Sequence, residues 1–174
     1  MHFMTGMDHR TVRANGIKIN LWVGGSGPAV LLLHGYPQTG QMWRKVAPKL
    51  ADRYTVVCPD LRGYGDSDKP RDGYDKKTMA RDMHEAMRVL GHERYALIGH
   101  DRGGRVAHRL AVDYPEAVER VAVLDISPTR TMFRETTQAF ATAYYHWFFL
   151  IQPFDLPERL IGADPGYYLR RKLG

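Results

Sequence analysis

The sequence predicts an α/β protein with a mostly parallel sheet flanked by helices. Three observations carry that expectation. Short apolar runs, Ala29–Leu33, Tyr54–Cys58, Tyr95–Ile98 and Val121–Leu124, recur along the chain, as strands buried on both faces do. Stretches with helical spacing lie between them: Met42, Trp43, Val46 and Leu50; Met79, Met83, Ala86, Met87 and Leu90; Val106, Leu110 and Tyr114. The alternation of the two patterns implies βαβ units, hence parallel pairing.

The elements follow in order. Gly16–Trp22 alternates apolar and polar residues and reads as a half-buried strand, and Gly24–Pro28 reads as a turn. Asp60–Pro70 is a loop rich in Gly and Asp. Gly91 closes the methionine-bearing helix, and Pro115 stops the helix that ends near Tyr114. After Pro128 the character changes. Thr131–Ile151 is aromatic-rich and reads as helical, with no further strand. Asp164-Pro165 looks like an N-cap followed by Pro at the first helical position. The expected division is therefore residues 1–128 for the sheet-bearing part and 129–174 for the start of a helical insertion over it.

Composition narrows the classes. The chain has 174 residues, 44% hydrophobic and 25% charged, which suits one soluble globular domain and excludes collagen-like and disordered chains. One cysteine, Cys58, permits no internal disulfide. The longest aliphatic run is too short for a bilayer, and Met1–Arg10 lacks the apolar core of a secretory signal; the expected location is cytoplasmic. Lys and Arg total 25 against 19 Asp and Glu, a net +6. These charges are scattered, and only Arg170-Arg171-Lys172 forms a run. That distribution fits a small anionic substrate better than nucleic acid.

Gly99-His100-Asp101-Arg102-Gly103 stands between a predicted strand and a predicted helix. It fits the nucleophile-elbow pattern, with Asp where serine hydrolases carry Ser. A carboxylate is nucleophilic at neutral pH without a base, and attack on an sp3 carbon gives an enzyme-bound ester. Arg102 and Arg105, three apart, can share a helix face and grip a small carboxylate by forked hydrogen bonds.

With His34-Gly35 after the third strand, Asp60–Ser67 after the fourth and the elbow after the fifth, the chain resembles the α/β-hydrolase family over nearly all of residues 10–174. The Asp nucleophile narrows the resemblance to dehalogenases and epoxide hydrolases. Arg102, where epoxide hydrolases and haloalkane dehalogenases carry Trp, together with Arg105 and the stretch His146–Pro153 followed by Leu156-Pro157-Glu158, is similar to haloacetate dehalogenases, fluoroacetate dehalogenase included. The resemblance implies hydrolytic dehalogenation of 2-haloacetates, with Asp101 as nucleophile and Asp125 as the acid that orients a histidine base. It implies backbone N–H groups of Tyr36 and Arg102 as oxyanion donors, Arg102 and Arg105 as the carboxylate clamp, and His146 and Trp147 as halide donors. It implies no metal and no organic cofactor. The small-molecule haloacid is the expected partner, with no nucleic acid or membrane, and a homodimer is what the resemblance suggests.

The remaining polar groups read as structural. His34 shapes its loop, His100 packs away from the site, Asp60 and Arg62 brace their loop as a pair, and Cys58 is inert packing. No histidine follows His146. The family's base, and the cap tyrosine that would touch the halide, are expected beyond Gly174; Tyr167 and Tyr168 do not match that tyrosine. The expectation is an N-terminal portion of a longer enzyme that does not turn over alone. The alternatives are an epoxide hydrolase and a non-catalytic carboxylate-binding remnant.

Overall fold

The computed structural model describes residues 4–173. Six strands form one sheet: β1 Asp8–Ala14, β2 Ile17–Gly24, β3 Ala29–Leu33, β4 Thr55–Pro59, β5 Tyr95–His100 and β6 Val118–Leu124. Their order is β1-β2-β4-β3-β5-β6. β1 and β2 pair antiparallel, as do β2 and β4; the pairs β4–β3, β3–β5 and β5–β6 are parallel. The chain divides into two compact units, Met1–Ile126 and Ser127–Gly174.

β3 explains the centre of the sheet. It lies between β4 and β5, with Leu31 opposite Val57 and Leu97, and Leu33 opposite Gly99. All five of its residues are buried. Side chains alternate between faces along a strand, so the run feeds two cores. Leu31 and Leu33 join Val57, Leu97 and the buried faces of α2 (Lys76–Val89) and α3 (Arg102–Asp113). Val30 and Leu32 join Val56, Cys58, Trp22 and Trp43 on the other face. Two cores leave no polar position in this strand.

α2 forms because Met79, Met83, Ala86 and Met87 recur at helical spacing and are all buried. Asp75 caps its start by accepting from the Thr78 backbone N–H at 2.9 Å. Gly91 ends it at φ +87°, where its N–H reaches Arg88 O at 2.9 Å and His92 N–H reaches Met87 O at 2.9 Å. α3 buries Val106, Ala107 and Leu110 and stops before Pro115.

Several elements differ from the expectation. β1 escapes sequence reading because it is an edge strand with six of seven positions at least partly exposed, so no apolar run marks it. The stretch 42–50 is not one helix: a 3-10 segment, Gly40–Lys45, precedes α1, Ala47–Ala51, whose first turn holds Pro48. Proline fits the first turn of a helix and breaks a continuous one. β6 begins at Val118, earlier than expected, and among the described residues pairs only with β5. Its Val121, Val123 and Leu124 are nearly half exposed.

Among the described residues the second unit carries five short helices: α4 Thr129–Arg134, α5 Gln138–Ala143, α6 Tyr145–Phe149, α7 Leu156–Ala163 and α8 Pro165–Leu173. The expected helical stretch 131–151 is thus three pieces, and α7 was not anticipated. Thr137 interrupts the first two by capping α5 through Phe140 N–H. Phe133 packs against Trp147 and Phe148, with ring centres 5.6 and 5.9 Å apart, and Phe140 stacks on Tyr144 at 4.9 Å. Asp164 Oδ1 accepts from Tyr167 N–H at 2.8 Å, the cap expected for α8.

Asp60 and Arg62 do not pair, which corrects the sequence reading. Arg62 instead forks onto Asp82 of α2, with two bonds of 2.8 Å. Asp60 accepts from Asn20 Nδ2, Gly40 N–H and Asp66 N–H. A guanidinium two residues from a carboxylate on a tight loop points elsewhere, and α2 offers a planar carboxylate for both of its nitrogens. The Asp82 side chain is fully buried and that of Arg62 nearly so. Asp82→Asn leaves a buried guanidinium without its counter-charge. The expected loss is about 3–5 kcal/mol, read from the denaturant midpoint; a loss below about 1 kcal/mol would contradict the pair's role.

Candidate active site

The strand order brings the ends of β3, β5 and β6 side by side, and His34, Asp101 and Asp125 follow those three strands. β5 runs into α3 through one residue, Asp101, at φ +48° and ψ −116°. A non-glycine residue reaches that conformation at a cost of about 1–3 kcal/mol, met by the surrounding structure. Its N–H donates to Leu124 O at 3.1 Å, and its carbonyl accepts from Gly104 N–H at 3.0 Å. Both neighbouring glycines are steric necessities. A Cβ on Gly99 would collide with the Gly103 carbonyl, and one on Gly103 with the carbonyls of Leu33 and His34. Backbone atoms cannot move aside as a side chain could.

Gly35 admits the Asp101 side chain itself: a Cβ there would sit 2.6 Å from Asp101 Cβ and 2.8 Å from Oδ1. The next residue, Tyr36, donates its N–H to Asp101 Oδ1 at 2.8 Å. The structure thus brings together two of the expected groups, the carboxylate of Asp101 and the Tyr36 backbone donor. Oδ1 is engaged, so Oδ2 is the oxygen free of that bond.

His34 holds this loop. Its Nε2 accepts from Leu61 N–H at 2.9 Å, so the ring proton lies on Nδ1, which donates to Gly35 O at 2.8 Å. Burial lowers its pKa below the ordinary 6.5, the bond to Gly35 O and the Asp60 charge opposing that shift. His34 is the structural residue that its position after β3 implied.

Arg102 and Arg105 open α3, as expected from their spacing. The Arg102 guanidinium carbon lies 5.9 Å from the centre of the Tyr36 ring. Its Nε is buried and makes no hydrogen bond among the described residues. Burial lowers the Arg105 pKa, the Asp101 charge opposes this and Arg102 adds to it. Asp125 also has a positive φ, +51°, and its side chain is exposed. His100 Nε2 lies 3.7 Å from Asp125 Oδ2, so the histidine expected to pack away lies near the Asp125 carboxylate. His146 and Trp147 are on α6, in the second unit, while the other expected residues are in the first. Among the described residues, no cluster of three His, Cys, Asp or Glu could hold a metal. Likewise, no helix among them is long and apolar enough to cross a membrane.

Two residues that sense these charges were not anticipated. Tyr64 lies beside Arg102 and Asp101; burial raises its hydroxyl pKa while Arg102 pulls it down. Its ring meets His34 edge-on at 5.0 Å. Lys76, at the start of α2, feels Arg102, Arg105 and Asp101. The signal for Tyr64 was present in Gly63-Tyr64-Gly65, whose glycines both have positive φ. Lys76 had none, being one lysine in a polar helix start.

A histidine with a depressed folded pKa adds stability above its unfolded pKa and loses it as pH falls. Stability is therefore expected to fall between about pH 7 and pH 5. His34→Asn, which can still donate and accept but does not titrate, reduces that slope; His84, also lowered by burial, retains the rest. An unchanged slope in urea titrations would refute the neutral-His34 assignment.

Comparison with known proteins agrees with this geometry. Residues 28–172 match the α/β hydrolase fold family. The chain is 55% identical to a fluoroacetate dehalogenase of Burkholderia sp, over 92% of this chain and 54% of that one. It is 41% identical to a soluble epoxide hydrolase of Corynebacterium sp. (strain C12), over 97% and 59%. The crystal structure of ALR0039 from Nostoc sp PCC 7120 superposes with a TM-score of 0.95 at 55% identity, covering 99% of this chain and 60% of that one. The chain thus spans between half and three-fifths of the length of these relatives, and over that span it belongs to the α/β hydrolase family.

Proposed function

We propose that this chain carries the nucleophile and acid-binding part of a hydrolase that dehalogenates 2-haloacetates. The observation that carries the reading is the cationic setting of the Asp101 elbow, with Arg102 and Arg105 on the first turn of α3. A guanidinium pair suits a ligand that bears a carboxylate next to the reacting carbon. A neutral epoxide would gain nothing from it. The 55% identity to a fluoroacetate dehalogenase supports the same choice.

The steps balance as follows. Asp101 Oδ2 attacks the α-carbon in line with the carbon–halogen bond; the new C–O bond forms as halide leaves with the bonding pair. His146 and Trp147 would donate N–H bonds to the developing halide. Water then adds to Asp101 Cγ, and the negative charge that develops on Oδ1 meets the Tyr36 N–H already placed there, with the Arg102 N–H as the second donor. Collapse breaks the Cγ–Oδ2 bond: glycolate leaves with Oδ2 as its hydroxyl oxygen, protonated as the bond breaks, and the water oxygen takes the place of Oδ2 in the Asp101 carboxylate. The proton from water goes to a histidine base oriented by Asp125. That base would come from outside these 174 residues, since no histidine after Asp125 other than His146 is present. No metal or organic cofactor enters any step. Cytoplasmic location and a homodimer belong to the same proposal.

The competing reading is an epoxide hydrolase using the same Asp101, favoured by the 41% identity to a soluble epoxide hydrolase. A halide electrode with fluoroacetate or chloroacetate, run beside a diol assay with styrene oxide on the full-length protein, separates the two. Halide release is expected; diol without halide would overturn the proposal. Asp101→Asn is expected to abolish halide release, and retained turnover would remove the nucleophile. Arg105→Ala is expected to raise KM for chloroacetate at least about tenfold, and an unchanged KM would remove the clamp.

A further inference from the structure

We propose that His100 is a positioning residue of the Asp101 site: its Nε2–H holds Oδ2 of Asp125 and leaves that carboxylate's other oxygen to the histidine base. This rests on the reading of Asp125 as the acid given above, and extends the site to the residue directly before the nucleophile.

The backbone puts the two side chains together. His100 is the last residue of β5 and Leu124 the last of β6, and the two are paired in register. The Asp101 N–H donates to Leu124 O at 3.1 Å and fastens the strand ends where the chain leaves them. Asp125 then takes a φ of +51°, and its Oδ2 lies 3.7 Å from His100 Nε2. The Asp125 side chain makes no other hydrogen bond or ion pair among the described residues.

The two partners differ in freedom. The Asp125 side chain is 90% exposed and that of His100 only 24%, so the ring is the fixed member. Its Nδ1 end sits against the loop after β3. A Cβ on Gly35 would lie 3.0 Å from His100 Nδ1 as well as 2.6 Å from Asp101 Cβ. Gly35 thus makes room for the nucleophile and for the ring at once.

The place of the proton follows from this seat. His100 Nδ1 is buried and has no hydrogen-bond partner among the described residues. A buried N–H without an acceptor costs more than a bare lone pair. The proton therefore sits on Nε2, the nitrogen beside the Asp125 carboxylate. At 3.7 Å the pair falls short of a hydrogen bond, and the exposed carboxylate closes it by a swing of about 1 Å or less.

The same burial excludes the ring as the base itself. No water stands at Nδ1, and Nε2 already carries a proton. Packing alone does not account for the imidazole either, since an apolar side chain would fill the seat without burying an unpaired nitrogen. What the ring supplies is an N–H at the acid. A carboxylate held at one oxygen presents the other in a fixed direction, which keeps an acid–histidine pair aligned. Loading of Asp101 needs no base, so His100 bears on hydrolysis of the ester.

The test separates the two steps in the full-length protein. With chloroacetate, the first halide released per site reports loading of Asp101. Decay of the carboxymethyl ester, followed by mass spectrometry after substrate is removed, reports hydrolysis. His100→Leu is expected to load at the parent's rate and to slow ester decay about tenfold or more. His100→Gln, whose amide N–H reaches the position of Nε2, is expected to restore most of that decay. If chloroacetate yields no halide and styrene oxide yields diol, the dehalogenase reading falls, and the same decay is read on the hydroxyalkyl ester that styrene oxide leaves on Asp101. A second measurement needs no turnover: imidazole nitrogen NMR of the resting protein is expected to show the His100 proton on Nε2 and a shift of that resonance in Asp125→Ala. The proposal is overturned if ester decay is unchanged in His100→Leu, if loading slows as much as decay, if His100→Gln decays no faster than His100→Leu, or if Asp125→Ala leaves the His100 resonances in place.

Discussion

The site depends on one close approach of backbone to backbone. Gly103, in the first turn of α3, passes so near the Leu33 and His34 carbonyls that no Cβ fits, and Gly99 passes Gly103 just as closely. That contact sets the helix directly over the ends of β3 and β5. It leaves Asp101 no choice but the positive-φ turn that lifts its carboxylate to the sheet edge. The strain is tolerated because everything around it is fixed: β3 is buried on both faces, and His34 ties the neighbouring loop to Leu61.

The electrostatic character follows from the same placement. A helix that starts at Arg102, directly after Asp101, carries Arg102 and Arg105 on its first turn. α2 packs alongside α3. Tyr36 and Tyr64 add ring and hydroxyl contacts to Arg102. The same elbow could serve several chemistries on this fold. On the proposed function, what would separate a small haloacid from an epoxide is the charge around the carboxylate rather than the carboxylate itself. The two relatives, a dehalogenase and an epoxide hydrolase, mark those two outcomes.

Much of the fold was legible because burial writes itself into sequence. The run Ala29–Leu33 could only be a central strand, and the methionine spacing of α2 could only be an amphipathic helix. β1 was not legible, since an exposed edge strand bears no apolar mark. The Asp101 elbow was legible because glycine is demanded on both sides of it. Partnerships across the chain were not: Arg62 choosing Asp82 over Asp60 depends on how its loop packs against α2. Tyr64 was half-legible, flagged by its glycines but with no sign of what it touches.

The central claim is that Asp101 attacks carbon and holds the product as an ester. The most direct measurement is mass spectrometry of the full-length protein quenched during turnover of chloroacetate, followed by proteolysis. The account predicts one carboxymethyl group on the peptide that carries Asp101, at its carboxylate, and none in Asp101→Asn. Halide release with no adduct on that peptide, or an adduct on another residue, would contradict it.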